Sequence, residues 1–94
     1  MRLSTIQQDI LFILYAIEQK GYKEPVPSMN VLNMINGSRT SLIADTNFRA
    51  SCHTLNDNGM VEKFRCPTSL KLSWSLSETG RIKASEIFES KTNT

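Results

Sequence analysis

The chain has 94 residues, 39% hydrophobic and 21% charged, enough for one domain with a modest core and of ordinary composition for a globular protein. Its longest apolar run, Ile10 to Ile17, has eight residues against the roughly 20 that span a bilayer, so no membrane span is expected. The net charge of +2 is concentrated: residues 1–38 and 72–94 each balance, and within 39–71 Arg39, Arg49, Lys63, Arg65 and Lys71 outnumber Asp45, Asp57 and Glu62, which favours an anionic partner there.

The first predicted element is a helix over 4–20. Ser4 with Gln7 and Thr5 with Gln8 form overlapping capping boxes, and Gly21 ends the pattern. Its middle is apolar nearly all the way round, which demands burial on two sides. One side is the core; the other is covered either by a partner subunit or by the rest of the chain. Pro25 and Pro27 then exclude helix. Ser28 can cap a short helix over 28–36 with Met29, Val31, Leu32, Met34 and Ile35 apolar, closed by Asn36-Gly37. The segment 38–44 reads either as loop or as an early turn of the next helix.

A helix of about 45–57 follows, with Asp45 or Thr46 as its N-cap and Phe48, Cys52 and Leu55 on one face. After Gly59 the period drops from near 3.6 to 2. A hairpin is expected over 60–76, turning at "CPTS", with Leu70, Leu72, Trp74 and Leu76 on one face. Ser77 then caps a last helix over 78–90, in which Ile82, Ala84, Ile87 and Phe88 supply the buried positions.

Cys52 and His53 are adjacent, which raises the question of a reactive pair or a metal site. Neighbours in a helix point about 100° apart, so the two cannot face one another. Cys52 belongs to the apolar face and reads as a small hydrophobe. A thiol nucleophile needs a base, and the chain has no second histidine. One His and two Cys without C-x-x-C spacing do not fill a zinc site. The four glycines sit at element boundaries as turn residues, not in a phosphate loop. No enzyme signal and no cofactor emerge. The early sequence makes a poor signal peptide, so the expectation is a cytoplasmic protein with reduced cysteines.

What remains is the outer face of the helix from Asp45: Thr46, Asn47, Arg49, Ala50, His53 and Thr54 at its side. These side chains are short or hydrogen-bonding, where an ordinary solvated helix carries more Glu and Lys. A helix that enters the major groove needs that composition.

The order of three helices, a two-stranded hairpin and a last helix resembles the winged helix-turn-helix. "ASCHTLNDNGMVEKFR" looks like a recognition helix running through Leu-x-x-x-Gly into the first wing strand. "LSWSLSETGR" looks like the second wing strand and a Leu-Ser/Thr-x-x-Gly helix start. Both are similar to bacterial regulators of the MarR and PadR kind. The resemblance implies base contacts from Thr46, Asn47, Arg49 and His53. It implies backbone contacts from Ser38, Arg39, Thr40, Ser41, Lys63, Arg65, Ser69 and Lys71, with "RCPTSLK" as wing tip. The expected protein is thus mainly α with a small hairpin: a regulator of double-stranded DNA, a repressor in form, occupying its operator as a homodimer through the first helix, the last helix or both. The alternatives are a winged-helix module that docks on protein, and a plasmid or phage DNA-binding protein for replication, partition or assembly.

Overall fold

The computed structural model describes residues 3–37, 42–69 and 71–92. Ser4 opens the first helix, α1 (Thr5–Gln19), and the capping box it forms is complete. Its Oγ accepts from the Gln7 N–H at 3.2 Å while Gln7 Oε1 accepts from the Ser4 N–H at 2.9 Å. The second expected box, Thr5 with Gln8, gives way to another contact: the Gln8 amide donates to the Leu3 carbonyl at 3.1 Å. Gly21, at φ +97°, turns the chain out of the helix.

The apolar girth of α1 is met on two sides from within the chain. Ile10, Leu11 and Leu14 enter the core. On another side Phe12 and Tyr15 pack on Phe88 of the last helix, α4 (Glu78–Thr92), with ring centroids 5.4 and 5.3 Å apart. Arg81 Nε closes that seam on Glu18 Oε1 at 2.8 Å. A third flank of α1, with Ile13, Ala16 and Ile17, lines an open groove of about 550 Å³ that also includes Tyr22, Val26 and Met34.

After Pro25 the chain forms a strand absent from the sequence reading, β1 (Val26–Pro27), and then α2 (Ser28–Gly37). Ser28 does not cap α2 as expected. Its hydroxyl donates across the molecule to the Leu72 carbonyl at 3.1 Å and accepts the Trp74 indole N–H at 2.7 Å. Val31, Leu32 and Ile35 are buried, whereas Met29 and Met34 stay exposed on the outer side. Gly37 is not left-handed, and Asn36 Oδ1 accepts from the Ile43 N–H at 2.8 Å.

The third helix, α3 (Asp45–Asp57), buries Phe48, Cys52 and Leu55 as its spacing requires. Gly59 at φ +73° delivers the chain to β2 (Val61–Arg65), which pairs antiparallel with β3 (Leu72–Leu76). β3 is central in a three-stranded sheet of order β1-β3-β2, with Val26 opposite Trp74 and Pro27 opposite Ser73. The hairpin is closed by the Cys66 N–H on the Lys71 carbonyl at 3.0 Å. Leu70, expected on the inner face, lies outside the described residues.

Ser77 joins β3 to α4. Its Oγ accepts the Gly80 N–H at 3.0 Å and donates to the Gly59 carbonyl. Gly80 is not a turn residue. It is buried in the first turn of α4, where a Cβ would stand 1.7 Å from the Met60 carbonyl oxygen. Ala84 is buried on α4 and Phe88 packs on α1, while Ile82, expected inside, is 63% exposed. The result is a winged helix: a three-helix core, a sheet extended into a short wing, and a fourth helix laid along the first.

Candidate nucleic-acid interface

With Phe48, Cys52 and Leu55 in the core, the opposite side of α3 faces solvent, and Thr46, Asn47, Arg49, Ala50, His53 and Thr54 are all exposed. The helix starts from Ala44, which makes no side-chain cap, so Asp45 is the first helical residue and neither Asp45 nor Thr46 is the N-cap. The Asp45 carboxylate is used otherwise: Oδ2 lies 2.8 Å from Arg49 Nη2, one turn on. A further turn on, the His53 ring meets the Trp74 ring edge-on, centroids 5.6 Å apart. Asp45, Arg49 and His53 therefore form one i, i+4, i+8 row along the helix flank. Thr54 turns its hydroxyl back onto the Ala50 carbonyl at 2.9 Å, an internal bond that occupies its donor.

Residues directly opposite in an antiparallel pair share a face of the sheet. Lys63 is opposite Trp74, and Arg65 opposite Leu72, so both cations lie on the face that carries the buried Trp74 and, through it, the contact with His53. Glu62 and Phe64 alternate to the other face, with Ser75 and Ser73. Ser69 and Lys71 are exposed in the turn, where Ser69 Oγ accepts from the Lys71 N–H at 3.4 Å. The other expected backbone contacts, Ser38, Arg39, Thr40 and Ser41, lie outside the described residues. The structure thus groups Arg49, His53, Lys63 and Arg65 about α3 and the inner face of the wing. It adds two residues that the sequence reading left out of the site, Asp45 and Trp74. The i, i+4 spacing of Asp45 and Arg49 was a readable signal; the approach of Trp74 to His53 was not.

The two cysteines have opposite environments. Burial pushes the Cys52 thiol up to about 12. Cys66, exposed in the wing turn, is brought down to about 6 by hydrogen bonds from Ser69 and Thr68, the Thr68 hydroxyl lying 3.2 Å from Sγ. The thiolate is the nucleophile, so alkylation of Cys66 is expected to rise through pH 6 and level off by about pH 7. Cys52 is expected to stay unmodified until the chain unfolds. Iodoacetamide labelling across pH, read by mass spectrometry of the peptides, checks both; equal rates at the two thiols would refute the assignment.

The fold is a winged helix-turn-helix, similar to that of MarR-family structures. No family model and no curated protein matches the chain. Among solved structures it is similar to the adhesin competence repressor AdcR from Streptococcus pyogenes, with TM-score 0.75 and 16% identity over 98% of this chain and 60% of that one. ZitR of Lactococcus lactis, a zinc-responsive MarR family member, aligns with TM-score 0.67 and 19% identity over 99% of this chain and 58% of that one. A candidate DNA-binding protein from Ralstonia eutropha aligns with TM-score 0.73 and 13% identity over 93% of this chain and 99% of that one. The chain spans 57–60% of the length of the first of these matching structures.

Proposed function

We propose that the protein is a sequence-specific regulator that binds double-stranded DNA, a repressor acting by occupancy of its operator as a homodimer. The observation that carries this is the outer side of α3: small and hydrogen-bonding side chains are exposed along it, and Lys63 and Arg65 stand on the adjoining inner face of the wing. In this reading α3 enters the major groove with Thr46, Asn47, Arg49 and His53 toward base edges. Lys63, Arg65, Ser69 and Lys71, together with Ser38, Arg39, Thr40 and Ser41, meet the sugar-phosphate backbone. The dimer forms through α1, α4 or both, placing two α3 helices on half-sites ~34–36 Å apart. The open flank of α1 and the exposed Ile82 on α4 support it.

Selection from a random duplex library, followed by anisotropy titration across a salt series, tests the reading. A two-fold related motif is expected, bound at least ~10³ tighter than unselected DNA, with affinity falling steeply in salt. Lys63→Ala should weaken all duplexes alike and reduce the salt slope by about one phosphate contact. Salt-sensitive binding with no motif would favour a role in assembly or partition. Absence of binding at low salt would eliminate the DNA reading in favour of protein docking, for which the apolar groove between α1 and α2 is the supporting observation.

A further inference from the structure

We infer that Asp45 sets the base preference of the interface by fixing Arg49 for recognition of a guanine. The inference rests on the DNA-reading role proposed above. Arg49 is 66% exposed on its side chain, and without a restraint its guanidinium would sweep bases and phosphates alike. It is restrained by Asp45 Oδ2 at 2.8 Å, on the row whose next member, His53, rests against the buried Trp74. Two side chains of the row are thus held, Arg49 by its ion pair with Asp45 and His53 by its ring contact with Trp74. A guanidinium has five N–H donors. The contact with Asp45 engages Nη2, leaving donors for the O6 and N7 acceptors that guanine alone presents together in the major groove.

As a source of stability an exposed i, i+4 pair contributes little. As a source of affinity a carboxylate at the leading end of a DNA-reading helix is unfavourable, because it repels phosphate. The other acids of the surrounding segment are placed elsewhere: Asp57 ends α3, and Glu62 lies on the opposite face of the sheet. Repulsion of phosphate is what discrimination requires, since it keeps Arg49 off the backbone. Asp45 Oδ1 can in addition accept from the amino group of a neighbouring cytosine or adenine. Asp45 is thus a positioning residue that exchanges general affinity for selectivity.

The test compares wild type, Arg49→Ala, Asp45→Asn and Asp45→Ala, each confirmed folded by thermal unfolding. They are titrated against the duplex the wild type selects, its single-base variants, and an unselected duplex. Arg49→Ala should abolish the preference at one guanine, a change of about 5- to 150-fold. Asp45→Ala should reduce that same preference several-fold at that same position with Arg49 intact, while binding the unselected duplex several-fold more tightly at low salt. Asp45→Asn, which keeps shape without charge, should fall between. A guanine preference lost in Arg49→Ala but unchanged in both Asp45 variants overturns the inference and leaves DNA reading standing, as does a motif indifferent to Arg49. Uniform weakening of every duplex by Asp45→Ala also overturns it. Failure of the wild type to select any motif removes the proposed function itself.

Discussion

Gly80→Ala is expected to destabilise the protein by ~3 kcal/mol or more, at the upper end of what overpacking ordinarily costs. The sign is informative, because Gly to Ala inside a helix normally stabilises by roughly 0.5–1 kcal/mol. Here the new methyl would stand 1.7 Å from the Met60 carbonyl oxygen and 2.7 Å from its carbon. Both are backbone atoms, and that oxygen already accepts the Ser77 N–H at 3.1 Å, so relief requires moving either the start of α4 or the entry to β2. Gly37 supplies the control: nothing lies within 4 Å of its added Cβ and its φ is not positive, so Gly37→Ala should be neutral or mildly stabilising. Urea unfolding of the three proteins, read as midpoint shifts at constant m-value, checks this. A stable Gly80→Ala variant would show that the α4–Met60 approach is looser than described.

Trp74→Ala should cost ~3–5 kcal/mol, the range for removing a large buried aromatic side chain. Trp74 is 1% exposed, sits on the central strand, and binds elements from distant parts of the chain: β1 through Val26, the start of α2 through Ser28, and α3 through His53. Trp74→Phe separates the ring from its N–H. It keeps most of the apolar volume but removes the 2.7 Å bond to Ser28 Oγ, whose own donation to Leu72 can persist. The expected loss is then about 1–2 kcal/mol, a lost hydrogen bond plus imperfect filling. Chemical denaturation followed by far-ultraviolet circular dichroism reads both variants without relying on the tryptophan. Equal losses in the two would mean that the N–H, not the ring, holds this junction.

The elements legible in the sequence are those whose signals are local. Ser4 and Gln7 lie three residues apart, Phe48, Cys52 and Leu55 repeat with the helix, and Leu72, Trp74 and Leu76 alternate; each pattern carries its own geometry. What stayed hidden depends on residues far apart in the chain. β1 is two residues, Pro27 being one of them and Pro25 preceding it, and only the presence of β3, some 46 residues on, makes it a strand. Ser28 had every feature of a helix cap, but a hydroxyl within reach of both Trp74 and Leu72 answers to them instead. Gly80 was recognisable as part of a motif, yet its reason, the Met60 carbonyl, cannot be read from spacing. In the site, exposure of Thr46, Asn47, Arg49 and His53 followed from the helix period. The i, i+4 spacing of Asp45 and Arg49 already allows their pairing, but the expectation of Asp45 or Thr46 as N-cap offers Asp45 a competing use.

The strand order also bears on how the protein avoids associating with itself through its sheet. A three-stranded sheet has two edges, and an open edge is a template for another chain's strand. One edge here is β1, only two residues long with Pro27 supplying no N–H. The other is β2, where Glu62, Lys63 and Arg65 put charge on three of five positions. An incoming copy of the same strand would set cation against cation if parallel and in register, and would have to strip water from every one of these side chains. The residues proposed to grip phosphate thereby also guard the wing against strand addition. Neutralising Lys63 and Arg65 together should for that reason raise the tendency to aggregate as well as weaken DNA binding.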